Sequence, residues 1–216
     1  MEGMMKKLTL ALCVAATLAP SFAMAHQAGD FIVRAGTATV RPTESSENVM
    51  GLGGFKIDND TQLGLTFSYL ITDNIGVELL GATPFQHKVG LQATGDIASS
   101  RQLPPTLMAQ WYFGKAEDKL RPYVGVGINY TNFYDAKFNN TGKSLGLHDL
   151  SVDNSWGAAG QVGLDYMVDK DWMINASLWY MDIDTTIKFR DSNNQKQNID
   201  THVDPFVFMF AVGYRF

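Results

Sequence analysis

The 216-residue chain has a single cysteine, Cys13, and it falls inside a leader-like N-terminus. Lys6 and Lys7 give a basic start, Leu8 to Leu18 an apolar stretch, and Ala23-Met24-Ala25 a small-x-small cleavage site. That order is a secretory signal peptide. Its apolar stretch is too short for a spanning helix, which needs about 20 residues. Leu12 precedes the cysteine where a lipoprotein signal wants a small residue, so no lipid anchor is expected. Residues 1–25 are read as the signal and residues 26–216 as one mature domain. Without a thiol, that domain can form no disulfide and no thiolate-bound metal site.

Long apolar runs are also missing beyond the leader, although 45% of the chain is apolar and 12% aromatic. Apolar residues spread this way exclude helical membrane spans and leave strands. There is no Lys/Arg-rich run, and the net charge of −5 argues against nucleic acid as a partner. Gly-x-Ser-x-Gly and His-Glu-x-x-His are both absent, and the Gly51/Gly53 and Gly125/Gly127 pairs lack a phosphate-loop context. His87, His148 and His202 lie in or beside predicted outer loops, too scattered for a ligand set, and are read as surface histidines. Asp182 and Asp184 resemble a metal pair only superficially and are read as solvated. No catalytic residue, metal or cofactor is expected, and the chain is not read as an enzyme.

What the sequence does contain is alternation. Leu63, Leu65, Phe67, Tyr69 and Ile71 are large and apolar, while Gly64, Thr66 and Ser68 between them are small or polar. Ile75, Val77 and Leu79 repeat the pattern after Thr72-Asp73-Asn74, a tight turn. Two period-2 runs so joined make a hairpin. Similar segments around Trp111, Val126, Val162, Ile174 and Phe208, with Phe31 to Val40, bring the count to eight strands. Short connections follow Ile71 and Val168, with a middling one from Gly114 to Arg121. Long ones run from Pro42 to Gln62, Pro84 to Gln102, Asp135 to Asn154 and Asp191 to Thr201.

This asymmetry predicts an all-β fold: an eight-stranded antiparallel transmembrane β-barrel with short periplasmic turns and longer extracellular loops. Closure follows because an open sheet edge in lipid leaves backbone groups unpaired. The bulky face of each strand is assigned outward, since the other face is too rich in Gly, Ala, Ser and Asn for a soluble exterior. Aromatics near strand ends (Trp111, Tyr112, Phe113, Tyr123, Trp172, Tyr214, Phe216) are read as interface girdles. In the third long loop, Leu145, Leu147, Leu150 and Val152 have the spacing of a short amphipathic helix. The chain ends Gly213-Tyr214-Arg215-Phe216, a terminal aromatic on an alternating strand, as outer-membrane barrels end.

Counting by twos places Arg34, Glu78, Asp165 and Arg215 inward, where charges are expensive and usually paired. They are read as a luminal charge network that satisfies its own charges and blocks straight passage. Leu70, Leu80, Met108, Trp179, Met181, Val207 and Met209 also count inward. They suit either a greasy pocket or plain space filling, since an eight-stranded barrel is just wide enough for side chains to close it.

Several long runs resemble the OmpW family of outer-membrane proteins: Leu103 to Phe113 (LPPTLMAQWYF), Arg121 to Gly125 (RPYVG), Trp156 to Gly163 (WGAAGQVG) and Asp204 to Phe210 (DPFVFMF). Asn74 to Leu80 and Trp179 to Thr186 match as well, and the similarity covers essentially the whole mature chain. The resemblance implies a narrow hydrophobic channel for small apolar compounds, constricted by Leu80 and Trp179. It also implies exit through the barrel wall rather than straight to the periplasm. The partners expected are outer-membrane lipid and a small hydrophobic solute. An alternative function is a structural barrel whose loops serve as a receptor for phage, bacteriocins or other macromolecules. A membrane enzyme of the lipid A palmitoyltransferase type would need an acid/base and nucleophile cluster that the sequence does not assemble.

Overall fold

A computed structural model describes residues 26–216; the expected signal peptide at residues 1–25, with Cys13, lies outside them. Eight strands close into an antiparallel barrel. They are β1 (Phe31–Arg41), β4 (Asp60–Leu70), β5 (Ile75–Ala82), β8 (Thr106–Tyr112), β9 (Leu120–Phe138), β11 (Ser155–Met167), β12 (Trp172–Met181) and β15 (Phe206–Arg215). Each pairs with the next in that order, and β1 closes the ring on β15 in the register Arg34↔Gly213 and Thr37↔Phe210. Closure lets the wall strands satisfy one another's backbone groups without water.

The face assignment is settled by exposure. Phe208 is 37% and Phe210 66% exposed, Trp156 70% and Val126 71%. Beside them in the chain, Val207, Met209 and Ser155 are buried. Outward aromatics gather in two bands: Trp172, Tyr214 and Phe216 stack near the periplasmic end, Tyr130–Trp156 and Tyr180–Phe206 near the outer end. Tyr112 and Tyr123, expected in the girdle, instead point inward and are buried. Their parity already matched the inward Gln110 and Gly125, so the period-2 count outranks position near a strand end.

Inside so narrow a barrel, large rings need small neighbours. A Cβ on Gly163 would lie 2.2 Å from the Tyr123 ring, and one on Gly127 would lie 2.0 Å from the Leu107 carbonyl oxygen. These glycines make room for packed side chains and a close backbone approach. The periplasmic turns close on their own polar groups. Thr72 Oγ1 accepts from the amides of Asn74 and Ile75, and Asp169 Oδ1 from those of Asp171 and Trp172.

The long outer connections depart from the expected loops. About half of their length is additional sheet: β2 (Ser45–Ser46), β3 (Phe55–Ile57), β6 (Phe85–Leu91), β7 (Gly95–Leu103), β10 (His148–Val152), β13 (Asp184–Arg190) and β14 (Lys196–His202). β3-β6-β7 continue onto the outer end of the 19-residue β9, while β10-β13-β14-β2 form a separate sheet. A span needs only about 9–11 residues, so β9 carries the wall well past the bilayer. The reason is burial: Val49, Phe55, Leu91, Ile97, Phe138, Leu147, Ile187, Phe189 and Ile199 form an apolar cluster in this outer region. The expected helix is displaced. A five-residue helix α1 spans Asn140–Ser144, capped by Asn139, whose Oδ1 accepts from the Gly142 amide. Leu147, Leu150 and Val152 pack into the apolar cluster instead, the last two from β10.

Candidate functional site

The lumen is layered along its axis. At the periplasmic end, Ile32, Leu70, Tyr112, Tyr123, Met167 and Met173 form an apolar floor. On it sits a charge cluster centred on Arg34 of β1, which is 1% exposed. Arg34 Nη1 donates to Glu78 Oε2 at 2.8 Å and to Ser68 Oγ at 2.7 Å. Its Nε and Nη2 hold both oxygens of Asp165 in a two-pronged grip, and Nη2 also donates to the Tyr112 hydroxyl at 3.1 Å.

One cation serves two carboxylates, so neutral donors supply the remainder. Glu78 accepts from Ser68 at 2.7 Å and from Gln161 at 2.9 Å. Asp165 accepts from Asn175 Nδ2 at 2.8 Å, and that amide also reaches the Tyr123 hydroxyl at 2.9 Å. Gln110 extends the chain, donating to Gln161 Oε1 and accepting from the Tyr112 hydroxyl, both at 2.9 Å. Arg34, Glu78 and Asp165 are thus brought together, from strands far apart in sequence.

Arg215 does not join them. It pairs with Asp30 at 3.5 Å near the periplasmic rim. Arg34 lies opposite Gly213, so Arg215 is one inward position further down the barrel, about 7 Å at strand rise. Leu70 is likewise inward but below the charges, one inward position beyond Ser68, and lines the floor rather than any chamber above. Two further buried groups lie at this end, neither among the expected luminal residues. Arg121 is fully buried and donates to the carbonyls of Phe113, Lys115 and Asp73, tying the periplasmic turns together. It shares the inward parity of Gly125, which is the signal that could have found it. His26, ahead of β1, is buried with Nε2 3.0 Å from Asp165 Oδ2, in contact but not aligned for a hydrogen bond. Belonging to no strand, it has no parity to read.

Above the charges the interior turns apolar. Leu80 and Trp179, 4% and 0% exposed, pack in one cluster with Met108, Met181, Val207 and Met209. The indole nitrogen of Trp179 is satisfied within its own strand, donating to Ser177 Oγ at 3.2 Å. Pairing of β5 with β8 ends at Leu80↔Thr106. The residues before Thr106 are Pro104 and Pro105, which have no N–H to offer the neighbouring strand. A Cβ on Gly81, next after Leu80, would meet nothing within 4 Å.

Further out lie two cavities. One is lined by Ile57, His87, Gln102, Phe133, Thr185 and Val203 among others, and Ile57, Phe133 and Val203 also touch the Leu80–Trp179 cluster. The second is apolar, reaching Val49, Phe55 and Leu147, and shares Val89, Ser100, Val152 and Ile187 with the first. His87, expected at the surface, is 5% exposed and lines the inner chamber. The missed signal is the alternation Phe85, His87, Val89 against Gln86 and Lys88. His148 and His202 are exposed. The carboxylates of Asp182, Asp184 and Asp204 come within 4.8 Å of one another near the outer rim, and His202 bonds Asp184, all in an open setting.

The model of the OmpW family matches residues 27–216 of the chain. The chain is 61% identical over 213 residues to outer membrane protein W of Escherichia coli K12, covering 98% of this chain and 100% of that one. Its fold is similar to the crystal structure of the outer membrane protein OprG of Pseudomonas aeruginosa, with a TM-score of 0.83 and 41% identity over 89% of this chain and 98% of that one. The solid-state NMR structure of outer membrane protein AlkL is also similar, with a TM-score of 0.68 and 25% identity over 88% of this chain and 92% of that one.

Proposed function

The chain belongs to the OmpW family and is an outer-membrane β-barrel, and on that footing we propose that it is a passive channel for small hydrophobic molecules. The observation that carries this reading is the vertical order of the lumen. Of two adjoining chambers, the outer is apolar and the inner touches the Leu80–Trp179 cluster, and beneath that cluster lie Arg34, Glu78 and Asp165, all at most 1% exposed. A polar solute gains little in the chambers. An apolar one gains roughly 25 cal/mol for each Å² it removes from water.

The solute enters among the outer sheets, passes the inner chamber, and meets Trp179 and Leu80. It does not continue downward, because entering the charge cluster would strip buried carboxylates of their donors. It leaves sideways into the bilayer. What supports a sideways exit is the edge of β5 beyond Leu80, which has no ladder partner on β8 and is faced by Pro104 and Pro105. Outer-membrane lipid is then both the surroundings and the destination.

The test is uptake of an apolar fluorescent probe into liposomes carrying equal amounts of folded barrel. Leu80→Glu puts a charge at the narrowest apolar point and is expected to reduce the rate at least ten-fold. Trp179→Ala widens that point and is expected to raise it. Unchanged rates in both variants would rule out this constriction as the path.

A further inference from the structure

The inner chamber holds one feature that an indifferent apolar pore has no use for. Gln102, the penultimate residue of β7, is 2% exposed, and its Oε1 is buried without a hydrogen-bond partner. Its amide nitrogen is not free. It lies 3.0 Å from Nε2 of His87, itself 5% exposed. The other ring nitrogen, Nδ1, lies 2.7 Å from the carbonyl oxygen of Asp58. A carbonyl only accepts, so Nδ1 carries the proton. Burial pushes the His87 pKa down, keeping the ring neutral and leaving Nε2 as a bare acceptor. The acceptor takes a hydrogen from the Gln102 amide. Asp58 thus sets the tautomer of His87, and His87 sets which way the carboxamide faces.

That relay leaves Oε1 waiting for a donor. The hydroxyls lining the same chamber are committed to backbone carbonyls, Thr185 to Asp153 and Ser100 to Arg101. The rest of the lining is largely apolar, with Ile57, Val89, Phe133 and Val203 among it. A hydrocarbon filling this chamber would leave the acceptor unpaired in a dry place, whereas a molecule with a hydroxyl would complete it.

Resting on the channel reading above, we propose that Gln102, oriented by His87, makes the lumen selective for apolar molecules bearing one hydrogen-bond donor, alcohols and phenols rather than plain hydrocarbons. The hydroxyl docks on Oε1 just above the Leu80–Trp179 cluster. The cavity there is about 30 Å³ and the adjoining one about 20 Å³, so the apolar body is seated only as the shared apolar lining, Val89, Val152 and Ile187, moves apart toward Phe55 and Leu147.

The test is a matched pair of ligands, 1-naphthol and naphthalene, titrated by fluorescence against the barrel in lipid nanodiscs with empty discs subtracted. Gln102→Leu keeps the side chain's bulk and removes the acceptor. Expected is a loss of about five-fold or more in 1-naphthol affinity, with naphthalene binding unchanged or tighter. In His87→Phe the carboxamide loses its orienting partner and can turn its N–H₂ into the chamber. The acceptor-only ligand 1-methoxynaphthalene should then gain on naphthalene. Parallel changes for both ligands in Gln102→Leu, or no change, would overturn the proposal while leaving the channel intact; a trapped water satisfying Oε1 would give that result. If neither ligand binds the unaltered barrel above empty discs, the channel reading falls and this inference with it. Folding of each variant is checked by its heat-dependent gel mobility.

Discussion

Below Leu80 and Trp179, the lumen buries charges and holds them in a hydrogen-bonded net; above, it buries apolar clusters with neutral polar groups such as His87, Gln102 and Asn129 among them, and leaves small cavities. The lower region joins Arg34 to both carboxylates and to Ser68 and Tyr112. The upper region has two adjoining chambers, and the inner one is bordered by Gln102, whose Oε1 has no partner. The same wall surrounds both. The difference teaches that closure and permeability are set by the chemistry of the inward side chains at each level. A satisfied net cannot open without stranding a charge, while apolar walls can part at modest cost.

The comparison breaks most severely at Arg34. Arg34→Leu strands Glu78 and Asp165 in a dry interior, and loss of one partner from a buried ion pair typically costs about 3–5 kcal/mol. The urea midpoint of the folded barrel in detergent micelles should fall accordingly. A midpoint within error of the unaltered protein would show that the net does not hold the lower half together. In the upper half, Trp179→Ala removes a large buried side chain, a change that costs about 3 kcal/mol or somewhat more where the surroundings cannot collapse. Here the flexible side chains of Met108, Met181 and Met209 in the same cluster can close part of the space, so the loss should sit at the low end and be smaller than for Arg34→Leu. The reverse ranking would contradict the contrast drawn between the halves.

Gly163→Val sharpens it further. The new side chain must displace the Tyr123 ring, which a Cβ would meet at 2.2 Å, at about 1–3 kcal/mol for overpacking. Because Tyr123 is part of the floor, ion conductance across a planar bilayer should rise. The equivalent change at Gly81, which meets nothing, should leave conductance as it was.

The smallest effects belong to two histidines beyond the bilayer whose surroundings act in opposite directions. Asp184, hydrogen-bonded to the exposed His202, raises its pKa above the ordinary 6.5, while burial lowers that of His87 below it. The His202–Asp184 pair therefore contributes in full below pH 6.5 and fades as pH rises through the raised value. The neutral His87 contributes in full above pH 6.5 and loses ground as pH falls below it. Imidazole shifts followed by NMR from pH 5 to 8 should give His202 a midpoint above 6.5 and His87 one below it. Midpoints in the same direction would undo the tautomer relay assigned to His87.

The barrel was legible because strand parity is a strict code. Counting by twos put Phe208 out and Met209 in, and the same count put Arg34, Glu78, Asp165, Leu80 and Trp179 on one luminal face. Where the reading strayed, parity had been set aside for a weaker cue. Tyr112 and Tyr123 were given to the girdle because they sit near strand ends, and His87 to the surface because it lies in a long connection. Arg215 and Leu70 show a different shortfall. Parity gives the face but not the height: Arg215 lies one inward step below the Gly213 that faces Arg34, and Leu70 one below Ser68.

Sequence alone determined the strand faces, the short-turn side and the family, because alternation against lipid acts residue by residue along one chain. Who meets whom across the lumen was decided only by closure. Arg34 and Asp165 are 131 positions apart, and their contact depends on ring order and stagger, which no single strand encodes. The outer sheets likewise depended on assembly, since Phe55, Ile97 and Ile187 find a dry place only once several connections have folded against one another.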